Sequence, residues 1–207
     1  MTTSTFTKTA AALALAVSAL SAQAATVANG SFEAPAVASG NWQIFNNPNM
    51  PGWTTGPAGV EIRNNAVGTA QQGSQFAELD TTTNSWISQV ITATQGQEYT
   101  LSFWYSPRIA RTSAEDNRIE VFWNNTLVKA VEGVGGTAHA WKEYLVVLSG
   151  VTVAASNTLK FAAAGTPNSF GGSLDNVSLT ATPLPGAALL FGTALAGFFG
   201  FSNRRKV

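Results

Sequence analysis

Glu98-Tyr99-Thr100-Leu101-Ser102-Phe103-Trp104-Tyr105 alternates with period two. In an extended strand, successive side chains point to opposite faces. Tyr99, Leu101, Phe103 and Tyr105 therefore share one face, and Thr100, Ser102, Trp104 and Ser106 the other. The first set reads as core, and Trp104 is then an aromatic ring on the outside. The next run, Arg118-Ile119-Glu120-Val121-Phe122-Trp123, repeats the pattern. Ile119, Val121 and Trp123 point inward, leaving Glu120, Phe122 and Asn124 outward.

The same reading extends outward along the chain. Residues 86–91, 141–148, 158–163 and 173–180 are further strand candidates. Turn residues separate them: Gln95-Gly96, Asn124-Asn125, Gly133 to Gly136, Ser156-Asn157 and Gly171-Gly172. No stretch between the ends shows a helical period, and no internal repeat is visible. Many short strands at regular spacing predict an all-β fold, a β-sandwich or a jelly roll. The Pro-, Gly- and Asn-rich segment 34–57 is expected to form long loops with little regular structure.

The two ends read differently. Lys8, the apolar run Ala10 to Leu20 and the small-x-small triplet Ala22-Gln23-Ala24 have the order of a secretory signal peptide over residues 1–25. At the other end, Pro183-Leu184-Pro185 precedes an uncharged apolar run, 186–201, and then Arg204-Arg205-Lys206. As a helix that run is about 24 Å long at about 1.5 Å per residue, slightly short of the roughly 30 Å hydrocarbon core. Residues 181–207 are therefore expected to be a tail with a transmembrane helix. The basic end stays on the cytoplasmic side. The folded domain is expected over 26–180.

The chain has no cysteine, so disulfides and thiolate metal sites are excluded. Its formal charge of +0 hides an asymmetry. Lys8, Arg204, Arg205 and Lys206 all lie in the ends. The remainder sets seven basic side chains against eleven acidic ones, a net −4. A mildly acidic domain lacks the basic footprint that nucleic-acid binding requires.

Several catalytic patterns are absent: Gly-x-Ser-x-Gly, His-Glu-x-x-His, the Walker loop and the dinucleotide fingerprint. His139 is the one histidine, and it reads as a solvated loop residue. Glu78-x-Asp80 places two carboxylates on one face of a strand, about 7 Å apart. Such a pair suits a ligand or metal contact, or, less well, glycoside hydrolysis. Arg108 ends the Tyr99 strand and brackets a polar loop with Arg111, Glu115, Asp116 and Arg118. It reads either as a ligand-holding fork or as the partner of Glu115, Asp116 or Glu78 in an ion pair.

The tail, Pro183-Leu184-Pro185-Gly186-Ala187-Ala188, Leu190-Phe191-Gly192 and Arg204-Arg205-Lys206, resembles the PEP-CTERM sorting signal in its Pro-Leu-Pro variant. That resemblance implies an exosortase-type membrane protease as partner. It also implies membrane anchoring before processing, and a cell-surface, extracellular or biofilm-matrix destination. The middle carries Asn29-Gly30-Ser31-Phe32-Glu33, Pro51-Gly52-Trp53, Phe76-Ala77-Glu78-Leu79-Asp80, Ile87-Ser88-Gln89, Tyr105-Ser106-Pro107-Arg108 and Gly172-Ser173-Leu174-Asp175-Asn176-Val177-Ser178-Leu179. Together these resemble the galactose-binding-like jelly rolls and their carbohydrate-binding modules. The resemblance implies a structural calcium ion held by Glu33 and Asp175, with main-chain carbonyls near Asn29 and Ser31.

The expected function is non-catalytic binding of a polysaccharide. Trp104 and Phe122 would form the platform, aided by Glu120, Arg108, Glu78 and Asp80. The alternatives are a structural or adhesion protein and, less well supported, a glycan-active hydrolase.

Overall fold

The computed structural model describes residues 26–149, 151 and 157–182. Eleven antiparallel strands form two sheets: β1 (Asn41–Phe45), β2 (Thr54–Thr55), β3 (Val60–Asn64), β4 (Gln75–Glu78), β5 (Trp86–Ile91), β6 (Tyr99–Ser106), β7 (Ile119–Trp123), β8 (Thr126–Val131), β9 (Lys142–Leu148), β10 (Asn157–Ala163) and β11 (Ser173–Ala181). One sheet has the order β1-β3-β4-β11-β6-β9, the other β2-β5-β10-β7-β8. The result is a two-sheet β-sandwich, with the core between the inward faces.

The alternation in β6 places Tyr99, Leu101, Phe103 and Tyr105 in that core, each at most 2% exposed. From the facing sheet come Ile87, Ile91, Ile119, Val121, Leu159 and Phe161. Phe161 meets Phe103 edge-on with centroids 5.3 Å apart, a favoured geometry for aromatic pairs.

The phrases at the two ends of the domain close the sandwich. Asn29, in the left-handed region at φ 52°, donates through Nδ2 to the carbonyl of Pro51 at 3.0 Å. Trp53 Nε1 donates to the Asn29 carbonyl at 3.0 Å, and its ring stacks on Phe32 at 5.8 Å. Buried Gln89 accepts from Ala28 N–H and donates to the carbonyls of Ala28 and Gly52. Val177 N–H bonds the Gly30 carbonyl at 2.8 Å. A Cβ at Gly30 would run into the Val177 carbonyl, so glycine lets first and last segments touch.

Two expectations are corrected. Segment 34–57 is not merely loop, because it contains β1 and β2. β1 is an edge strand with an exposure pattern that barely alternates, so the period-two signal is missing there. The expected fold class also included a C-terminal transmembrane helix. No helix among the described residues is long and apolar enough to cross a membrane. The expected membrane anchoring before processing, and the localisation built on it, therefore find no helix to rest on. The segment 186–201, Pro183, Leu184, Pro185, Arg204, Arg205, Lys206 and the signal peptide 1–25 lie outside the described residues.

Candidate functional site

The outer face of the six-stranded sheet is divided in two. Toward β3 and β4 it is roofed by the loop that precedes β9. Phe76 points outward from β4 yet is fully buried. His139 and Trp141 pack edge-on against it at 4.9 and 5.8 Å. Trp141 Nε1 donates to the Thr69 carbonyl at 2.9 Å, and Ala140 N–H donates to Ser106 Oγ at 3.0 Å.

His139 is therefore partly buried and hydrogen-bonded, not a fully solvated loop residue as the sequence suggested. Nδ1 lies 2.9 Å from the Thr69 carbonyl and so carries the proton. Nε2 is left to accept from Ser173 Oγ at 3.3 Å. Burial depresses the imidazole's basicity, which favours the neutral ring and with it the accepting Nε2. The ring pins two loops together.

Beneath the roof is a buried charge network. Glu61 on β3 stands opposite Glu78 on β4. Like charges in direct register repel, and two arginines offset this. Arg63 bridges Glu61 and Glu78, the latter at 2.5 Å. Arg108 reaches Glu78 at 2.6 Å. Glu78 Oε1 also accepts from Gly171 N–H at 2.5 Å. Asp80 Oδ2 accepts from Asn168 and Phe170 N–H at 3.0 and 3.3 Å, which anchors the loop before β11. Phe170 carries the guanidinium of Arg111 over its ring at 3.1 Å. Glu78 and Asp80, each 1% exposed, thus belong to the interior and not to a solvent-facing ligand site, and the partly buried Arg108 is tied to Glu78.

Burial pushes the Glu78 carboxyl up from 4.5 to about 7, against the pull of Arg63 and Arg108. A carboxyl raised in the folded state holds its proton more tightly there than in the unfolded chain. Its contribution to stability is complete below about 4.5 and is lost as pH rises through about 7. The denaturation midpoint is expected to fall between about pH 5 and about pH 8, and Glu78→Gln to reduce that slope. A midpoint constant over this range, measured by urea titration, would contradict the assignment.

Toward β9 the same sheet face is open. Trp104 stands opposite Asp175 on β11 and Glu143 on β9. The following rows bring Ser102 opposite Ser178 and Leu145, and Thr100 opposite Thr180 and Val147. Trp104 is partly exposed, and its Nε1 bonds nothing among the described residues. Leu145 and Val147 are 66% and 62% exposed. Ser102 Oγ donates to Glu143 Oε1 at 2.6 Å. An indole, a row of hydroxyls and a carboxylate share this surface.

The expected platform of Trp104 with Phe122 does not form. β6 and β7 belong to different sheets, and both residues point outward, so they lie on opposite faces of the sandwich. Phe122 is partly exposed on the five-stranded sheet, with Lys160 Nζ 4.4 Å from its ring centre. Glu120, on the same face, pairs with Arg118 at 2.8 Å. Glu143, which does stand beside Trp104, was missed. It carries a sequence signal only once the β6–β9 register is known.

Glu33 and Asp175 converge on the loop 71–75. Asp175, fully buried, accepts from Gln71 and Gln72 N–H through Oδ2 and from Asn176 N–H through Oδ1. Glu33 accepts from Ser74 and Gln75 N–H through Oε1 and from Ser74 Oγ through Oε2. Burial, with a smaller push from Glu33, lifts Asp175 from 3.8 to about 7. A carboxylate has about four lone-pair sites, so Asp175 Oδ1 and Glu33 Oε2 each retain one. Two such oxygens are a small part of the roughly six to eight that a hard cation takes. The Asn29 carbonyl does not fit, because Phe32 N–H and Trp53 Nε1 already occupy it. Among the described residues no three His, Cys, Asp or Glu side chains form a metal cluster.

No known family profile matches the chain, and no curated protein matches it. Solved structures do. A Stig cyclase, Fisc, from Fischerella sp. TAU, in complex with (3Z)-3-(1-methyl-2-pyrrolidinylidene)-3H-indole, is 17% identical with a TM-score of 0.57. The match covers 78% of this chain and 98% of that one. The K1 cleaved adhesin domain of Lys-gingipain from Porphyromonas gingivalis W83 is 14% identical with a TM-score of 0.50, over 69% and 98%. A family 16 carbohydrate-binding module is 19% identical with a TM-score of 0.49, over 74% and 98%. The chain thus bears a distant resemblance to sandwich folds of this kind.

Proposed function

We propose that this chain is a non-catalytic carbohydrate-binding domain that engages a polysaccharide through the open half of its six-stranded sheet. The observation that carries the reading is the surroundings of Trp104. A partly exposed indole, its N–H bonding nothing among the described residues, lies beside Glu143 and a double row of Ser and Thr hydroxyls. A pyranose ring offers an apolar C–H face to such an indole and hydroxyls to the polar rows. The fold by itself does not choose, since it also serves a cyclase and an adhesin domain. The hydrolase reading loses its candidates, because Glu78 and Asp80 are held in buried bonds. A glycan array probed with the full-length chain tests the proposal. A glycan that the parent chain binds and Trp104→Ala does not supports it, whether or not other glycans are still bound, and no glycan bound by the parent chain rejects it.

We also propose a structural calcium ion at Glu33 and Asp175. Bound there, it would tie the first and last segments of the domain through charge neutralisation. At about ten times its dissociation constant a ligand stabilises by about 1.4 kcal/mol, which corresponds to roughly 3–6 °C for a domain of this size. A chelator is expected to lower the melting temperature by that amount, and Asp175→Ala to remove the difference. Equal melting with and without chelator excludes the ion. An exosortase-type protease acting on the tail 181–207 remains part of the proposal as a second partner.

A further inference from the structure

A cleft of about 430 Å³ lies at one end of the other sheet, lined by Asn46, Asn47, Thr55, Gly56, Pro57 and Trp86. Trp86 opens β5 with its side chain outward, out of phase with the buried Ile87 and Ile91. Its lateral neighbours are unusually small. On one side Gly56 donates its N–H to the Trp86 carbonyl at 2.7 Å. On the other, Ala162 of β10 stands directly opposite. Neither neighbour has a side chain large enough to cover the indole.

Gly56 also leaves polar atoms uncovered. A Cβ there would lie 2.7 Å from Ser85 Oγ and 3.0 Å from Trp86 Nε1. Ser85 is 3% exposed, and its Oγ has no hydrogen-bond partner among the described residues. Trp86 Nε1 also bonds nothing among the described residues, yet it is not among the fully buried orphan atoms. Asn47, by contrast, is fully engaged with Thr55: its Oδ1 accepts from Thr55 N–H at 3.0 Å and its Nδ2 donates to the Thr55 carbonyl at 3.1 Å. It therefore holds the wall rigid. The amide of Asn46 stands exposed at the rim.

Among the described residues no charged side chain lines this cleft, so they offer an ionic ligand no counter-charge. A partly exposed indole, an indole N–H that bonds nothing among the described residues, an exposed amide and a proline ring match a neutral polyhydroxylated ring. We infer that the Trp86 cleft is a second binding site for neutral saccharide. It stands on residues of its own, independent of Trp104. β5 and β6 lie in different sheets with both tryptophans outward. The two sites therefore face away from each other, and a saccharide chain on one does not reach the other without wrapping the domain. Two sites so placed join separate glycan strands, an avidity device instead of an extended groove.

The test uses indole-¹⁵N-labelled full-length protein, titrated with neutral hexasaccharides of β-1,4-linked glucose, mannose, galactose and xylose. The Trp86 resonance is assigned by its loss in Trp86→Phe, with the remaining indole signals unchanged as proof of folding. A saturable shift of the Trp86 N–H with at least one hexasaccharide, retained in Trp104→Ala, is the expected result. No shift at Trp86 with any of the four overturns the inference. If Trp104 alone responds, the second site is rejected and the proposed function stands. If Trp86 alone responds, the second site stands and the Trp104 face loses its role.

Discussion

Arg63→Met is expected to destabilise the protein by about 3–5 kcal/mol at neutral pH, the cost of leaving buried charge unpaired. Arg63 is 4% exposed and bridges two carboxylates that face each other in register. Methionine fills much of the space but leaves Glu61 and Glu78 with Arg108 alone. The effect should shrink as pH falls toward about 5. Glu78, whose carboxyl burial already holds near 7, then takes up a proton and no longer needs the guanidinium. Arg63→Lys should restore part of the loss, because an ammonium keeps the charge without the planar fork that spans both partners. Urea unfolding of the three proteins at two pH values checks this. A loss below about 1 kcal/mol at neutral pH would give the network the modest weight of an exposed ion pair.

The sequence displayed the core more clearly than the surface, for a physical reason. Alternation in β6 and β7 is imposed by burial of one face, so Tyr99, Leu101, Phe103, Ile119 and Val121 declare themselves. Edge strand β1 and two-residue β2 bury too little to leave such a signal. Which sheet each strand joins depends on long-range pairing, and local pattern carries no information about it. Hence alternation turns Trp104 and Phe122 outward, as the structure shows, but it holds nothing that separates one shared platform from two opposite faces. The same limit hid the roof over Phe76 and the ion network below it. Glu78 and Asp80 read as an accessible carboxylate pair for a ligand or metal, because nothing local in Phe-Ala-Glu-Leu-Asp reveals that Arg63, Arg108 and the loop after β10 close over it. The recurring phrases that carry the family resemblance turn out to be ties: Asn29 to Pro51, Trp53 to Asn29, Gln89 to Ala28 and Gly52, Val177 to Gly30. They specify how the sandwich closes and leave its ligand open, so motifs that identify a fold well inform poorly about function.

Trp104→Ala separates fold from function in one variant. Truncating a fully buried tryptophan costs about 3–5 kcal/mol, because a cavity remains. Trp104 is only partly covered and points away from the core, so the expected stability loss is about 1 kcal/mol or less. If its indole anchors a sugar ring, truncation removes a binding hot spot. Affinity should then fall about a hundredfold, or about 2.8 kcal/mol. Glu143→Gln keeps the size of the side chain that takes the Ser102 hydrogen bond but removes its charge, and should weaken binding by a smaller factor. Phe122→Ala, on the opposite face, should leave the Trp104 site unchanged, which distinguishes this geometry from a shared aromatic platform. Calorimetric titration with the glycan selected on the array, beside urea unfolding of each variant, supplies both axes. A Trp104→Ala protein that loses several kcal/mol of stability would place the indole in a packed interior. One that keeps both stability and affinity would strip the six-stranded face of its anchor. The structural or adhesion role would then account better for an exposed strip of Leu145, Val147, Ser and Thr.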